Sequence, residues 1–353
     1  MEHQAGRLQK QKVKEPMAEK NLTALIFFMF FASIVILISG CQTQFGQFGK
    51  IQEIKPIIIH KGTQGLDLNF VQKMPPESIR EGTTFNVGIE IKNKGSWSIS
   101  NAKILISGYD DAYMRITGDN SKEIPKFEVL KPNILYNIQK MDGKSTSNLE
   151  GGYILLILNG KNIRIPASAE SYESNIIATT CYGYETEATQ DVCIDPFANE
   201  QKQISKPCTI KDYSLSGGQG GPVGVTKIDE SILGFGGERK VEFKIYADNL
   251  GKGQVANLKA YSKTCSIEAK SNIEKGDLNI VEISATLGGK EINCYKTEEE
   301  KEQKLAYLVL EKDKNYVVCK TAIDSKKIYV SPLVVKLKYG YVESVSKKME
   351  FKK

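Results

Sequence analysis

Histidine is almost absent from this chain, which has two histidines among its 353 residues, His3 and His60. Most catalytic serines and cysteines need a histidine as general base, and histidine is the commonest metal ligand in proteins. Only His60 lies in the main part of the chain, close to a stretch rich in glutamine and glycine. The sequence therefore argues against a histidine-dependent hydrolase or zinc enzyme. We expect no catalytic residue, no cofactor and no metal.

Long apolar runs are also scarce, with one exception near the beginning. Residues 24–38 are apolar apart from Ser33, and five basic residues precede them, which is the layout of an export signal. As a helix this run would be about 22 Å long, which is short for a hydrocarbon core of roughly 30 Å. It ends in Ser39, Gly40 and Cys41. Small residues followed directly by cysteine resemble the bacterial-type lipobox.

Two interpretations of this segment stay open. Residues 1–41 are either a signal peptide with lipid attachment at Cys41 or an uncleaved anchor with residues 24–41 in the membrane. In both cases the basic flank stays inside, so residues 42–353 are extracytoplasmic. The predicted localisation is therefore the cell membrane, with 42–52 as a flexible tether.

No block of lysine or arginine stands out, and the 48 lysines and arginines are nearly balanced by 42 acidic residues. Nucleic-acid binding requires a clustered basic patch, so we expect no nucleic acid as partner. The stretch Leu215-Ser216-Gly217-Gly218-Gln219 matches the signature of ABC-transporter ATPases. However, the chain lacks the Gly-x-x-x-x-Gly-Lys-Ser/Thr phosphate loop, and this glycine-rich stretch is typical of a linker. We therefore expect no nucleotide either.

Cysteine pairs of the Cys-x-x-Cys type are missing, and with them the usual spacing of a zinc site. Six cysteines remain when Cys41 is set aside, and an even number in an exported chain indicates disulfides. Fifteen connectivities are possible for six cysteines. The pairing we favour closes a linker, joins neighbouring strands and ties the two halves of the chain together. In that order, the predicted pairs are Cys193–Cys208, Cys294–Cys319 and Cys181–Cys265.

Helical periodicity is rare, and short alternating strands take its place. Phe85 to Ile91 alternates apolar and polar residues, which predicts a half-buried strand, and Asn93-Lys94-Gly95 then turns the chain. The same arrangement recurs 156 residues later, where Val241 to Ala247 alternates and Asn249-Leu250-Gly251 forms the turn. The chain therefore contains a candidate internal repeat.

Other local signals also favour β-structure. Asn159-Gly160 and Gly288-Gly289 are predicted two-residue hairpin turns, because both residues of each pair tolerate positive φ. Only Glu298 to Gln303 has a helical pattern. Many short strands with almost no helix predict an all-β protein of the β-sandwich type.

A second repeated motif supports a tandem duplication. Tyr182-Gly183-Tyr184 recurs as Tyr339-Gly340-Tyr341 at an offset of 157 residues. Two motifs whose offsets agree within one residue define two related units. We predict a first β-sandwich domain at 53–195, a disulfide-closed linker at 196–222 and a second β-sandwich domain at 223–353.

These residues also suggest a family. An alternating strand that ends in Asn-x-Gly and is followed by an Ala-x-Ile-x-Ile strand resembles the immunoglobulin-like modules of prokaryotic surface proteins, the CARDB-type adhesion-related domains being the nearest match. The resemblance covers residues 81–107 and 237–260. It implies two tandem immunoglobulin-like β-sandwich domains behind an N-terminal signal or anchor helix, in a setting similar to archaeal membrane-anchored proteins.

Candidate binding residues lie in two tyrosine-rich places. Asp110, Asp111 and Asp119 share a loop with Tyr109 and Tyr113, which suits a glycan or calcium site, the carboxylates of a hydrolase, or simply a polar loop with packing tyrosines. The repeated tyrosines form either an exposed binding surface or a shared packing element. These four are Tyr182, Tyr184, Tyr339 and Tyr341.

Trp97, the single tryptophan, follows the first turn and is expected to cap the core. Together the patterns predict a membrane-anchored extracytoplasmic surface protein with a non-catalytic binding, adhesion or structural role in the cell envelope. Its expected partner is an envelope protein or polysaccharide. The alternatives are a solute- or glycan-binding lipoprotein and, second, a carboxylate-based envelope hydrolase.

Overall fold

The structure is a computed structural model that describes residues 59–118, 127–130, 133–200, 205–234, 238–266, 274–296 and 306–353. Ile57–Lys353 forms one compact unit. Several predicted features lie outside the described residues, namely the signal or anchor at 1–41 with Cys41, the tether at 42–52, Asp119 and the helix at 298–303. Within the described ranges, no helix has the length and apolar character needed to cross a bilayer.

The described residues form 18 strands and one short helix, which confirms the all-β class. In chain order the strands are β1 (Leu66–Phe70), β2 (Ser78–Arg80), β3 (Thr84–Asn93), β4 (Ile99–Ser107), β5 (Met114–Thr117), β6 (Phe127–Leu130), β7 (Asn133–Met141), β8 (Tyr153–Asn162), β9 (Ser171–Ile194), β10 (Tyr213–Ser214), β11 (Val223–Leu233), β12 (Lys240–Asn249), β13 (Gln254–Ala256), β14 (Ile280–Leu287), β15 (Lys290–Tyr295), β16 (Ala306–Val309), β17 (Tyr316–Ala322) and β18 (Tyr329–Lys352). The helix is α1 (Tyr261–Thr264), and a 3₁₀ turn covers Lys275–Asp277.

Two sheets contain these strands. A 4-stranded sheet has the order β1-β3-β8-β5, and a 14-stranded sheet follows the path β10-β11-β12-β17-β15-β14-β18-β9-β4-β7-β6. The larger sheet therefore passes through both the first half of the chain (59–195) and the second half (223–353). The predicted linker at 196–222 contributes β10 to it. The division into two immunoglobulin-like domains stays a prediction.

A long two-stranded ribbon lies at the centre of the larger sheet. Its strands, β9 from the first half and β18 from the second, are 24 residues each and pair antiparallel along their whole length. Gly183 lies opposite Gly340 in this register. At about 3.4 Å per residue the ribbon is about 80 Å long. Backbone hydrogen bonds between β9 and β18 thus join the two halves directly.

The strands predicted from alternation are confirmed, and their apolar faces form the core. In β3, Val87, Ile89 and Ile91 are fully buried, and in β12 Phe243 and Ile245 are fully buried as well. Burying one such side chain contributes about 1.5–3 kcal/mol. The polar residues between them point to the outer faces of the sheets, where they remain available for contacts.

One predicted turn is wrong and another is confirmed. Asn159 and Gly160 lie inside β8, where Gly160 pairs with Phe85 of β3. A Cβ atom at Gly160 would overlap the Phe85 ring, so glycine is required there by a packed neighbour and not by a turn. Gly288-Gly289 does connect β14 to β15, with φ of 56° and 80°.

The three predicted disulfides are confirmed. Cys193–Cys208 closes the segment after β9, and Cys294–Cys319 joins β15 to β17, at positions that lie directly opposite each other. Cys181–Cys265 ties the end of α1 to β9 across a sequence separation of 84. Structural disulfides are typical of oxidising environments, so the three pairs indicate an extracellular or otherwise oxidising location.

Candidate functional site

The aspartate loop after β4 is held by its own backbone. The Asp110 carboxylate accepts a hydrogen bond of 2.9 Å from the Ala112 N–H, and Asp110 and Asp111 are both exposed. Burial, together with the charge of Asp111, raises the pKa of Tyr109 to about 12. Among the described residues, no group of three or more histidines, cysteines or carboxylates is placed to hold a metal ion. The described part of the loop has the features of a polar loop beside a packed tyrosine.

The four repeated tyrosines are brought together, but they are not on the surface. Tyr182, Tyr184, Tyr339 and Tyr341 are between 0% and 2% exposed. Across the ribbon, the ring centroids of Tyr182 and Tyr341 are 5.8 Å apart, and those of Tyr184 and Tyr339 are 6.0 Å apart. Burial corrects the idea of an exposed tyrosine surface, because a partner cannot reach rings that the two halves already cover. We call these four residues the tyrosine quartet.

Each hydroxyl of the quartet accepts a backbone N–H, and the repeat is visible in these bonds. Tyr184 accepts from Trp97 at 3.1 Å, and Tyr341 accepts from Gly253 at 2.7 Å. Trp97 and Gly253 are themselves 156 residues apart in the sequence. Tyr184 also donates to the Gly220 carbonyl at 2.6 Å. The duplicated sequence motifs therefore encode duplicated hydrogen bonds.

The other two tyrosines repeat the same relation. Tyr182 accepts from the Leu66 N–H at 3.1 Å, and Tyr339 accepts from the Val223 N–H at 3.0 Å. Burial raises the pKa of both hydroxyls well above the usual value, so they remain protonated in neutral solution. The quartet thus fixes where β1 and β11 begin. Its role is to position the two halves.

The Asn-x-Gly turns add further hydrogen bonds to those of the quartet, and we call the two sets together the frame. The Asn93 amide donates to the Trp97 carbonyl at 2.9 Å, and the Asn249 amide donates to the Gly253 carbonyl at 2.8 Å. In each turn the asparagine side-chain oxygen also accepts the N–H of the glycine two residues later. An asparagine that satisfies both backbone groups in this way holds the turn rigidly.

The ATPase-like stretch has a structural use. The side-chain amide of Gln219 donates to the Val225 carbonyl at 3.1 Å and accepts the Val225 N–H at 3.0 Å. A Cβ atom at Gly218 would overlap the Gly62 carbonyl oxygen. These contacts explain the residue types of the stretch without a phosphate ligand.

The outer face of the second half carries a large open cleft. Its volume is about 680 Å³, and Lys240, Asn293, Tyr295 and Lys320 contribute to its lining. The Lys320 ammonium lies 2.8 Å from the Glu242 carboxylate and 5.2 Å from the centroid of the Tyr295 ring. These hydrogen-bonding contacts, to Glu242 first and then to Tyr295, raise the pKa of Lys320. The lysine is therefore already engaged on this face.

A second cleft, which we call the tryptophan cleft, lies across the ribbon and takes residues from three parts of the fold. It has a volume of about 250 Å³. The six lining residues used below are Trp97 and Asn101 from the first half, Leu258 and Tyr261 from the second half, and Glu185 and Lys338 from the ribbon. Trp97 is 43% exposed, which corrects the expectation that it caps the core.

Sequence reasoning missed the partners of Trp97 in this cleft. Asn101 directly precedes the predicted Ala-x-Ile-x-Ile strand and carried no signal of its own, although its φ of 56° sets it apart in the structure. Leu258 and Tyr261 belong to a short helical region without a periodic signal. One sequence signal for Trp97 existed, because the offset of 156 aligns it with a glycine, Gly253.

Comparisons with known proteins identify no family. No family model and no curated protein matches the chain. Among solved structures it is similar to AvmM, which catalyses macrocyclisation in alchivemycin A biosynthesis (14% identity, 34% of this chain and 74% of that chain, TM-score 0.20). It is also similar to a type I cohesin–dockerin complex from Clostridium thermocellum (13% identity, 35% and 85%, TM-score 0.23) and to the secreted serine protease VesC from Vibrio cholerae (7% identity, 80% and 51%, TM-score 0.20). At such TM-scores these similarities support no conclusion about fold or function.

Proposed function

We propose that this protein is a membrane-anchored, extracytoplasmic surface protein with a non-catalytic binding or adhesion role in the cell envelope. The observation that carries the proposal is the ribbon of β9 and β18, which holds surfaces from both halves in one fixed arrangement. The three disulfides support an oxidising location. The apolar segment at 24–41, with Cys41 as lipid attachment site or as the end of an anchor helix, supplies attachment.

A fixed arrangement favours binding over simple spacing. A spacer built from separate domains joins them by flexible linkers. Here the two halves share 24 residue pairs of backbone contact, a buried tyrosine quartet and the Cys181–Cys265 bridge. Rigid elements hold a binding surface in its productive geometry before the partner arrives, which lowers the cost of association.

The all-β architecture also bears on the first alternative. Solute-binding lipoproteins that feed transporters normally close a cleft between two mixed α/β domains. The described chain has sheets with one four-residue helix, and its two halves are joined along a continuous ribbon. A hinge between the halves would break that ribbon, so we favour the binding or adhesion role.

The experiment is photo-crosslinking of the full-length protein in its native host. A photoreactive residue is placed at exposed positions of the second-half face, such as Lys240, and at a matched position on the 4-stranded sheet, such as Tyr153. We expect position-dependent crosslinks to an envelope protein or polysaccharide. Crosslinks only to cytoplasmic proteins, or turnover of an envelope polymer by the purified protein, would overturn the proposal.

The anchor is tested separately by intact mass of the membrane-extracted protein. Loss of residues 1–40 with a lipid adduct on Cys41 would establish the lipoprotein form, and an unmodified full-length chain in the membrane would establish the anchor helix. Release of full-length protein into the soluble cytoplasmic fraction would contradict both forms.

A further inference from the structure

We propose that the tryptophan cleft binds carbohydrate, with one sugar ring stacked on the Trp97 indole. This inference rests on the proposed function and deepens it, since it names an envelope glycan as the partner. It starts from Trp97, whose backbone makes the contacts to the quartet and the turn and whose side chain is 43% exposed.

The repeat provides an internal control for Trp97. Its counterpart Gly253 makes the same two backbone contacts, donating to a quartet tyrosine and accepting from the asparagine of its turn. The frame therefore needs only the backbone of this residue. In the second half a side chain at Gly253 would overlap the Val342 carbonyl oxygen, whereas Trp97 projects a ring that is 43% exposed. An exposed indole at a position where its counterpart has no side chain requires another explanation.

Two further walls of the tryptophan cleft are held firmly. Leu258 and Tyr261 lie over the ribbon glycines, so that a Cβ atom at Gly340 would overlap Tyr261 and one at Gly183 would lie 3.2 Å from Leu258. The disulfide of Cys265 fixes the end of α1 to β9, four residues after Tyr261. Because the ribbon and this disulfide set both walls, the cleft exists before a ligand binds.

The polar residues of the tryptophan cleft define the ligand class. Glu185 only accepts hydrogen bonds, Lys338 only donates them, and the Asn101 amide does both. The Glu185 side chain is 10% exposed and lies 3.5 Å from the Lys338 ammonium, so the pair is held in place. A sugar offers hydroxyl groups that both donate and accept, together with an apolar ring face for an indole. A proline-rich peptide offers carbonyl acceptors but few donors, so it would leave the acceptor side of this set, such as the Asn101 amide oxygen, unused.

The size of the cleft matches a single ring. Pockets for drug-sized ligands measure roughly 300–1,000 Å³, and this cleft is slightly smaller at about 250 Å³. It is also open at the surface, so a polysaccharide chain can pass through with one residue stacked on Trp97. Such a site would be weak for one sugar and stronger for a surface that presents many copies.

Trp97 is the only tryptophan, so tryptophan emission, excited at a wavelength that the 16 tyrosines do not absorb, reports on this cleft alone. The full-length protein, in a detergent without a sugar headgroup, is titrated with hexasaccharides of glucose, mannose and N-acetylglucosamine, and with a polyproline peptide. We expect at least one hexasaccharide to shift or quench the emission in a saturable way. No response to any sugar on the titration or on a glycan array, or a response to the peptide alone, would overturn the inference.

Matched variants separate the cleft from the rest of the surface. By calorimetry we expect Trp97→Ala to weaken the responding sugar at least tenfold. Asn101→Gly keeps the left-handed backbone and removes the amide, and this variant should weaken binding of the same sugar about threefold. The control Tyr153→Ala removes an aromatic ring that is 50% exposed on the other sheet, and it should bind like the parent protein. Equal affinity of the parent and Trp97→Ala would contradict the inference.

The two proposals can fail independently. If Trp97→Ala binds the sugars like the parent protein while the envelope crosslinks are found in cells, the surface role stands and the sugar site is wrong. If purified protein binds sugar through Trp97 but the chain is found in the cytoplasm, the cleft stands and the surface role is wrong.

Discussion

The two halves share one hydrogen-bonded frame and differ in what surrounds it. After the first Asn-x-Gly turn, β4 has nine residues and pairs with both β9 and β7. After the second turn, β13 has three residues, and the chain continues into α1 and the disulfide at Cys265. The second half thus replaces a long strand with a short one plus a covalent tether.

This difference shows which parts of the fold are constrained. Each tyrosine of the quartet accepts an equivalent backbone N–H in both halves, at the start of a strand or in a turn. Outside the quartet the strands differ in length, and the tryptophan cleft lies where β4 of the first half has nine residues and β13 of the second half has three. In a repeat of this kind the hydrogen bonds of the frame are shared, and the strands around the frame can differ in length.

Among changes that compare the two halves directly, the largest effect we expect comes from adding a side-chain atom at the glycine of each Asn-x-Gly turn. A Cβ atom at Gly95 would overlap the Tyr184 hydroxyl and lie 2.8 Å from two backbone carbonyls, whereas one at Gly251 would overlap the Tyr341 hydroxyl and lie 2.8 Å from a side-chain carbon of Pro222. Backbone yields less readily than a side chain. Gly95→Ala should therefore lower the free energy of unfolding by about 3 kcal/mol and Gly251→Ala by about 2 kcal/mol. Guanidinium unfolding with intact disulfides measures both.

Gly276→Ala is the control for this pair, since a Cβ atom there would meet no atom within 4 Å. It should leave the unfolding midpoint unchanged. Equal and small effects at Gly95 and Gly251 would mean that the quartet does not restrain the turns.

The next effect concerns the hydroxyls themselves. Tyr184→Phe removes two hydrogen bonds, the one from the Trp97 N–H and the buried one to the Gly220 carbonyl, which keeps the Ser96 N–H at 2.9 Å as a donor. Tyr341→Phe removes the bond from the Gly253 N–H. This bond is only partly buried, so water can replace the lost hydroxyl. We expect losses of about 2 and 1 kcal/mol respectively. A larger loss of unfolding free energy in Tyr341→Phe than in Tyr184→Phe, by thermal or denaturant unfolding, would contradict this explanation.

Much of this frame could be predicted from the sequence, because it depends on local patterns. Alternation placed β3 and β12, and the offsets of 156 and 157 paired the motifs correctly. Gly160 shows where local reasoning fails, since the same dipeptide that favours a turn is also tolerated in a strand when a ring such as Phe85 needs the space. The tryptophan cleft could not be predicted, because it assembles from residues up to 241 positions apart, from Trp97 to Lys338. The anchor and the domain boundaries stay predictions.

A smaller effect concerns the pH dependence of stability, to which a glutamate of the second half contributes. β11 has eleven residues where β1 has five, and the added length carries Glu230, which accepts the Cys193 N–H at 3.3 Å and the Tyr213 hydroxyl at 3.2 Å. Burial raises the pKa of Glu230 to about 7. The folded state therefore holds this proton more tightly than the unfolded chain. Its stabilising effect is complete below about pH 4.5 and is lost as pH rises through about 7.

Urea unfolding at pH 4.5, 6 and 8 measures this loss, which should be on the order of 1–2 kcal/mol. Burial and the charge of Asp67 also raise the pKa of Glu343, so the contribution of Glu230 is the difference between the parent and Glu230→Gln. If the free energy of unfolding changed with pH in the same way in both proteins, Glu230 would not be the cause of the loss.

The smallest effect is expected at Trp97. Because its side chain is exposed and its backbone makes the frame contacts, Trp97→Ala should change the free energy of unfolding by less than about 0.5 kcal/mol. Phe243→Ala, at a fully buried ring of the second half, is the contrasting variant and should cost about 3–5 kcal/mol. A large loss of unfolding free energy in Trp97→Ala would show that the indole packs as part of the core.

The ribbon also determines the order in which the molecule can fold. Its two strands pair residues that are 135 positions apart at one end, Ile194 with Tyr329, and 181 apart at the other, Ser171 with Lys352. During synthesis β9 is made long before β18, so one of its edges waits without its final neighbour while the second half is produced. Contacts so distant in the chain form slowly, and a strand edge left open invites pairing with other chains. Folding of the first half is therefore expected to depend on a chaperone or on rapid completion of the second half.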